Sequence, residues 1–258
     1  MKLLRYAILF LMILNLAGAS YEYVSPILST LLSYGTLIML IGYYVLEKKK
    51  GKLNIWMIVL GLSYYLISSL QYYGDVREFV VTCIKYFIMI ICGYEVAKNT
   101  TKKELFFFLL IGALSILFHL LLFKSAWGRY SGFYINPNEA GFMCISGYAL
   151  TFGLTNKKLK LIGQLAFSVC GLLTFSRTFM LLWLLLNALS VLINIKNIKI
   201  FILGFGVIMT MFMIDELIGL DNPRFQQLKG MATNDGVSSG NDLSKESRAE
   251  TWAMFYDY

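Results

Sequence analysis

The sequence has little charge, little proline and almost no histidine. Charged residues make up 15% of the 258 residues, there are three prolines, and His119 is the only histidine. A soluble domain carries roughly 25% charged residues, whereas 58% of this chain is hydrophobic. The four cysteines stand singly inside apolar runs, without the spacing of a zinc or redox motif. These scarcities exclude an ordinary soluble domain and predict a membrane protein with no metal site and no cofactor.

Nine apolar runs predict an all-α polytopic membrane protein with about nine transmembrane helices. A helix needs about 20 apolar residues to cross about 30 Å of hydrocarbon, and open strands would leave backbone groups unpaired in lipid. The runs cover about 1–16, 24–46, 53–70, 79–97, 105–123, 137–155, 159–175, 179–193 and 200–217. The first run is either a retained span, which we favour, or a signal peptide cleaved after Ala17-Gly18-Ala19. Residues 1–217 form the predicted membrane domain, and 218–258 form an extracytoplasmic segment.

The positions of the basic residues predict how the runs cross the membrane. If the spans alternate, five basic groups fall on one side, which the positive-inside rule makes cytoplasmic, together with the N-terminus. Topology therefore explains the net charge of +8, and nucleic-acid binding is not expected. The five groups are Lys2 and Arg5; Lys48, Lys49, Lys50 and Lys52; Lys98, Lys102 and Lys103; Lys157, Lys158 and Lys160; and Lys196 and Lys199.

Residues 127–139 form a polar stretch (WGRYSGFYINPNE) between two apolar runs. Asn136 is placed to cap a helix, Pro137 suits the first helical position, and Glu139 falls at the capping-box position. A helix that begins here directs its positive end toward the side that Arg129 also faces. The stretch therefore predicts an anion-binding site, and the loop charges place it on the outer face. The structural alternative is an arginine in a solvated loop.

Other ionisable residues gather near the predicted outer ends of the spans. Arg177 lies in a junction of almost no length between the seventh and eighth runs, where a charge at membrane depth needs a partner. Lys85 is either a snorkelling anchor or a site residue. His119 is better explained as an interhelical hydrogen-bonding residue than as a catalytic one. Arg224 is a weaker candidate for the outer surface.

The outer segment contains a linker and the start of a further helix. Residues 233–242 (TNDGVSSGND) are typical of a linker, and Ser244 then suits a helix N-cap. Arg248 follows on that helix, whose aromatic residues begin an apolar face just before the sequence ends at Tyr258. The sequence is therefore predicted to be truncated at its C-terminus. From the local pattern alone, Arg248 is equally well explained as part of a solvated helix face.

Three short motifs, in this order, resemble the O-antigen ligase and polysaccharide repeat-unit polymerase (O-antigen polymerase) family of multi-span glycosyltransferases. They are GRYSGFYINPN over 128–138, LTFSRT over 173–178 and RAETW over 248–252. The resemblance implies a GT-C-like fold in which Arg129, Arg177 and Arg248 are catalytic. The substrate-binding candidates that complete this outer surface are Asn136, Asn138, Glu139, Lys85 and Arg224. The family's further outer histidine and last spans are expected beyond residue 258.

The resemblance implies transfer of an oligosaccharide from a polyprenyl pyrophosphate carrier, outside the cytoplasmic membrane of a bacterium. A polymerase transfers it to another lipid-linked repeat unit and a ligase to a lipid A core, and the Lys/Asn/Ile-rich composition slightly favours the polymerase. Candidate partners are the polysaccharide export and chain-length machinery. Glu139, Asp215 and Glu216 are general-base candidates, although the missing histidine is preferred. A flippase for lipid-linked glycans and a non-catalytic membrane scaffold are the alternatives.

Overall fold

The computed structural model describes residues 1–48, 50–70, 74–122 and 129–193, and beyond these only 195, 198, 202, 204–206, 209 and 213. Within these ranges all regular secondary structure is helical, which confirms the predicted all-α class. The helices are α1 (Lys2–Ile13), α2 (Leu16–Tyr23), α3 (Pro26–Leu46), α4 (Ile55–Leu70), α5 (Val76–Lys98), α6 (Lys102–Leu122), α7 (Pro137–Thr151), α8 (Lys157–Leu173) and α9 (Arg177–Ile193). The residues that lie outside the described ranges include Asp215, Glu216, Arg224 and Arg248.

Eight of the nine predicted runs coincide with helices, and the ninth, over 200–217, is described only at isolated residues. Among the described helices, α3, α5 and α6 are long and apolar enough to cross a membrane, and the bent pair α1–α2 would make a fourth span. Helices α7, α8 and α9 contain 15, 17 and 17 residues. At about 1.5 Å per residue they are shorter than a hydrocarbon core of about 30 Å. The chain is thus an all-helical protein with several apolar helices suited to a membrane.

The first apolar run forms α1, and a second, short helix follows it directly. α1 ends at Ile13, α2 begins at Leu16, and the pair is bent by 52°. Asn15 lies between them with a φ of 47°, in the left-handed region that asparagine visits more readily than most residues. Its side-chain oxygen accepts a hydrogen bond from Gly18 N at 3.3 Å and so caps α2. The first predicted run ends near residue 16, so α2 is an unpredicted helix, and its cap at Asn15 is the signal that marks it.

Contacts between helix ends bring the lysine-rich loops to one end of the bundle, called the basic end below. Arg5, near the start of α1, donates a hydrogen bond to the carbonyl oxygen of Asn99 at the end of α5. The side chain of Asn99 donates to Glu47 Oε2 at 3.3 Å, at the end of α3. Lys102, which begins α6, lies near Gly153 in the α7–α8 connection. Four of the five predicted basic groups thus share one end, and the fifth lies outside the described residues. The side of the membrane that this end faces stays a prediction.

The ion pair between Arg5 and Glu104 yields a stability prediction. Arg5 Nη2 lies 2.6 Å from Glu104 Oε1, and the two side chains are 10% and 19% exposed. Removing one partner of a fully buried pair costs about 3–5 kcal/mol, and partial exposure lowers the expected cost here to about 2 kcal/mol. We therefore expect Arg5→Met to lower the thermal unfolding temperature of the purified protein in detergent.

The matched control is Lys103→Met, which changes an exposed side chain at the same end and should leave the unfolding temperature unchanged. Adding Glu104→Gln to Arg5→Met should recover part of the loss, because no buried carboxylate is then left without its cation. Equal unfolding temperatures for Arg5→Met and the wild type would contradict the prediction.

A buried cluster formed by α6, α7, α8 and α9 lies beneath the candidate site. Small residues let these helices approach closely; a side chain at Gly171 of α8 would collide with Phe179 of α9. Buried polar groups also join them, since Tyr148 donates its hydroxyl to Asn187 Oδ1 at 2.7 Å. Both features are typical of helix association within membranes. A second cluster is formed by α1, α3 and α5 with a contact from α6, and α4 packs mainly against α5.

Candidate anion-binding site

Residues 129–136 form a loop that enters the helix bundle, called the re-entrant loop below. Gly132 has a φ of 63° and packs directly on α6. A Cβ at this position would collide with the Ser115 hydroxyl and would lie 2.8 Å from Ile116 N. Ser115 lies seven residues before the end of α6 at Leu122, which is about 10 Å at 1.5 Å per residue. The polar composition predicted the stretch but not this depth.

His119 of α6 holds the backbone of the re-entrant loop. Its Nδ1 accepts hydrogen bonds from Ser131 N at 3.4 Å and Gly132 N at 3.1 Å. Its ring also meets the ring of Tyr130 edge-on, with centroids 5.7 Å apart. The structure therefore shows His119 in the favoured hydrogen-bonding role, with a loop rather than another helix as the partner.

Three further hydrogen bonds satisfy the loop backbone. Phe133 N donates to the Ser115 hydroxyl at 3.1 Å, and Tyr130 N donates to the carbonyl oxygen of Leu173 at 3.2 Å. Tyr134 N donates within the loop, to the carbonyl oxygen of Ser131, at 3.1 Å. Each N–H group from residue 130 to residue 134 thus has an acceptor. Non-helical backbone at membrane depth requires this, because an unpaired N–H group in lipid costs several kcal/mol.

The re-entrant loop leads into α7 as the sequence predicted. Asn136 has an extended backbone and its Oδ1 accepts from Asn138 N at 2.8 Å, while Pro137 occupies the first helical position. Glu139 lies in the first turn, and its side chain is exposed like those of Asn136 and Asn138. The predicted helix start and its N-cap are confirmed.

Arg129 joins three parts of the site. Its Nε donates to the carbonyl oxygen of Thr174 at 3.1 Å, and its Nη2 donates to Asn138 Oδ1 at 2.9 Å. The first bond reaches the turn between α8 and α9, and the second reaches the first turn of α7. The guanidinium of Arg129 is therefore held in place at the junction of the loop with two helix starts.

The turn between α8 and α9 is as short as the sequence predicted. α8 ends at Leu173 and α9 begins at Arg177, with Phe175 in the left-handed region at a φ of 47°. The Ser176 hydroxyl accepts from Phe179 N at 3.4 Å and so caps α9. Arg177 is exposed at the first position of the helix.

Packing of α7 against this turn brings two helix N-termini together. A Cβ on Gly141, in the second turn of α7, would lie 2.8 Å from Ser176 Cβ, so the helices meet where both begin. Each N-terminus carries a partial positive charge of about half an elementary charge. Arg129 and Arg177 add two full charges, and Glu139 is the acidic residue in the first turns of these two helices. The combined field favours an anion.

The structure brings five of the predicted site residues together and separates another. The five that surround the paired helix starts are Arg129, Asn136, Asn138, Glu139 and Arg177. Lys85 instead lies between α5 and α3, with its Nζ 5.0 Å from the ring centroid of Tyr34. Whether Lys85 is a snorkelling anchor or a site residue stays a prediction. Arg224 and Arg248, as residues outside the described ranges, have no described position relative to the site.

An apolar groove begins at Arg177 and follows α9. It is a shallow depression of about 570 Å³ that is largely open, since all the residues that line it belong to one face of α9. The residues that line it are Arg177, Met180, Leu181, Leu184, Leu185 and Ala188. The groove places a cation at the head of a hydrocarbon surface, an arrangement that suits an amphiphile with an anionic head group.

Comparison with known proteins gives no match: no family model, no curated protein and no solved structure matches the chain. Fold and site nonetheless define a class, an all-helical protein suited to a membrane, with a re-entrant loop and two arginines at paired helix starts. The resemblance to the O-antigen ligase and polymerase family rests on the sequence motifs alone and stays a hypothesis.

Proposed function

We propose that the chain is a membrane glycosyltransferase that polymerises or transfers polyprenyl-pyrophosphate-linked oligosaccharide repeat units. The observation that carries the proposal is the position of Arg129, bonded to both the start of α7 and the α8–α9 turn. The arginine and the two helix N-termini offer fixed donors to an anion, and Arg177 adds a second guanidinium. A diphosphate matches this set, because guanidinium groups bind phosphate oxygens in pairs.

The groove along α9 supports a lipid carrier rather than a free anion. A soluble phosphate needs no hydrocarbon surface, whereas Leu181, Leu184 and Leu185 follow Arg177 along about two turns of α9. On this proposal the isoprenoid chain lies against α9 and the diphosphate lies at Arg177 and Arg129. Pyrophosphate is a good leaving group, so stabilising the charge that develops on it supplies much of the catalysis.

The remaining parts of the proposal come from the sequence. The bundle is GT-C-like with about nine spans, and the basic end is cytoplasmic, so the site faces outward from the cytoplasmic membrane of a bacterium. Arg248 is the third catalytic arginine and Arg224 a further substrate-binding residue. Polymerase activity, on capsular, exopolysaccharide or O-antigen repeat units, is preferred over ligation to a lipid A core. Export and chain-length proteins are the proposed partners.

One structural feature favours a second candidate, a flippase for lipid-linked glycans. Transporters often contain broken helices at the substrate site, and the α1–α2 pair is bent by 52° at a short break. The two functions differ in what a deletion strain accumulates. A missing polymerase leaves lipid-linked repeat units on the outer face, whereas a missing flippase leaves them on the cytoplasmic face.

We expect Arg129→Ala to abolish polymer and also to lower the unfolding temperature. Each charged hydrogen bond is worth about 1.5–3 kcal/mol, and Arg129 makes two to the protein itself, to Thr174 and Asn138. Polymer length is measured on gels, in cells whose chromosomal copy of the gene is deleted and which express the variant instead. The amount of variant protein in the membrane is measured as the reference. Arg77→Ala, at an exposed arginine in the first turn of α5, is the matched control. Polymer of normal length in Arg129→Ala would contradict the proposed function.

A further inference from the structure

Tyr134 links the re-entrant loop to the broken first span. Its hydroxyl donates a hydrogen bond to the backbone carbonyl oxygen of Ile13 at 2.8 Å, and the residue is 1% exposed. Ile13 is the last residue of α1, directly before the break at Leu14 and Asn15. Carbonyl groups at a helix end have no partner within the helix, so the tyrosine supplies one inside the bundle.

The surroundings of Tyr134 are shaped for this contact. A side chain on Gly112 of α6 would collide with the Tyr134 hydroxyl and would lie 3.3 Å from Leu14 Cδ2. Glycine at this point of α6 therefore lets the tyrosine reach the break. The other end of α2 contacts the same loop, since the Tyr23 hydroxyl donates to the carbonyl oxygen of Gly132 at 3.5 Å. The loop is thus bonded to the first span on both sides of the break.

We infer that Tyr134 is a positioning residue for Arg129. It fixes one end of the re-entrant loop to the break between α1 and α2, and Arg129 lies at the other end of that loop. The inference rests on the proposed function, and it makes α1–α2 part of the donor-lipid site. Besides its backbone bonds to α6, the loop is held by two side chains, Arg129 on the α8–α9 turn and Tyr134 on Ile13.

When the Tyr134 bond is released, His119 and Ser115 still hold residues 131–133. The shift is therefore expected in residues 134–136, which lead into the start of α7, where Asn138 accepts from Arg129.

A hydrogen bond that only stabilises the fold would behave differently from a positioning contact. A stabilising bond changes the fraction of folded protein, and the folded molecules that remain bind ligand with unchanged affinity. A positioning bond changes the dissociation constant of the folded molecules. Tyr134→Phe separates the two roles because it removes the hydroxyl and keeps the buried ring.

The experiment uses the full chain in nanodiscs of zwitterionic phospholipid, with sugar-free polyprenyl diphosphate as the probe. We expect Tyr134→Phe to raise the Kd roughly tenfold, which corresponds to about 1.4 kcal/mol, while the number of binding sites per folded protein stays constant. Amide hydrogen exchange should rise together in residues 13–18 and 134–136. Tyr64→Phe, at a tyrosine that is 62% exposed on α4, is the matched control and should change neither quantity.

Ser115→Ala serves as a second control within the same loop. It removes the acceptor of Phe133 N and leaves the bond between Tyr134 and Ile13. Exchange should then rise in residues 131–134 and stay unchanged in residues 13–18. This pattern would show that the two segments respond together only when Tyr134 is altered.

The outcomes separate this inference from the proposed function. An unchanged Kd in Tyr134→Phe, or exchange that rises in only one of the two segments, overturns the positioning role. If the wild type does not bind polyprenyl diphosphate but Tyr134→Phe still raises exchange in both segments, the proposed function fails and the link between break and loop stands. A raised Kd with coupled exchange supports both.

Discussion

Arg177→Ala should abolish polymer while leaving the unfolding temperature almost unchanged. Arg177 is exposed at the start of α9, and surface substitutions usually change stability by less than about 0.5 kcal/mol. On the proposed function its guanidinium donates to the diphosphate, and each charged bond is worth about 1.5–3 kcal/mol. Since about 1.4 kcal/mol corresponds to a tenfold change in rate, loss of a bidentate pair lowers transfer roughly hundredfold or more.

Arg177→Lys tests whether charge alone is sufficient. Lysine keeps the positive charge but lacks the planar pair of donors, so we expect short polymer at a reduced rate. Thermal unfolding of each purified variant is measured alongside polymer length. Normal polymer in Arg177→Ala would contradict the prediction, and so would a large fall in its unfolding temperature.

Substitution of Arg129 and substitution of Arg177 should therefore have different effects. Arg129 bonds the α8–α9 turn and the start of α7, so its loss affects stability and transfer together. Arg177 stands exposed at the head of the α9 groove, so its loss is expected to affect transfer far more than stability. We expect Arg129→Ala and Arg177→Ala both to lose polymer, and only Arg129→Ala to lose much stability. That result would support a direct contact between Arg177 and the substrate.

The parts of the site that depend on neighbours in the sequence could be predicted. Asn136 caps α7, and Pro137 starts it, because capping is a contact between residues two or three apart. The short junction at Arg177 was likewise readable from the apolar runs on its two sides. Loop charges predicted a basic end, and the contacts of Arg5 and Lys102 agree with it. These features follow from local pattern and from the cost of charge in lipid.

The depth of the re-entrant loop depends on contacts that no local pattern contains. Tyr134 bonds Ile13 across 121 residues of sequence. Ser115 lies in an apolar helix, and its bond to Phe133 is invisible without the fold. A glycine inside a polar loop was the one available signal, because Gly132 alone in this loop adopts a positive φ. Position in the bundle, rather than residue type, turns these side chains into a site.

Gly132→Ala should be the most damaging small substitution in the described part of the chain. An L-residue in the left-handed region costs roughly 1–2 kcal/mol, and overpacking a filled space typically costs about 1–3 kcal/mol. Both costs apply here, because Gly132 has a φ of 63° and its Cβ would lie 2.8 Å from Ile116 N. We expect the total, about 3 kcal/mol or more, to displace the loop and abolish polymer.

Second substitutions show which contact causes the damage. Ser115→Ala added to Gly132→Ala removes the colliding hydroxyl but leaves Ile116 N, which is backbone and cannot withdraw. The double variant should therefore recover only part of the unfolding temperature, and polymer should stay absent. Gly35→Ala, on α3 where a Cβ would have nothing within 4 Å, is the matched control and should stabilise slightly, as alanine does in a helix. Wild-type stability and normal polymer in Gly132→Ala would mean that Gly132 does not pack on α6. The re-entrant loop would then not lie as deep in the bundle as described.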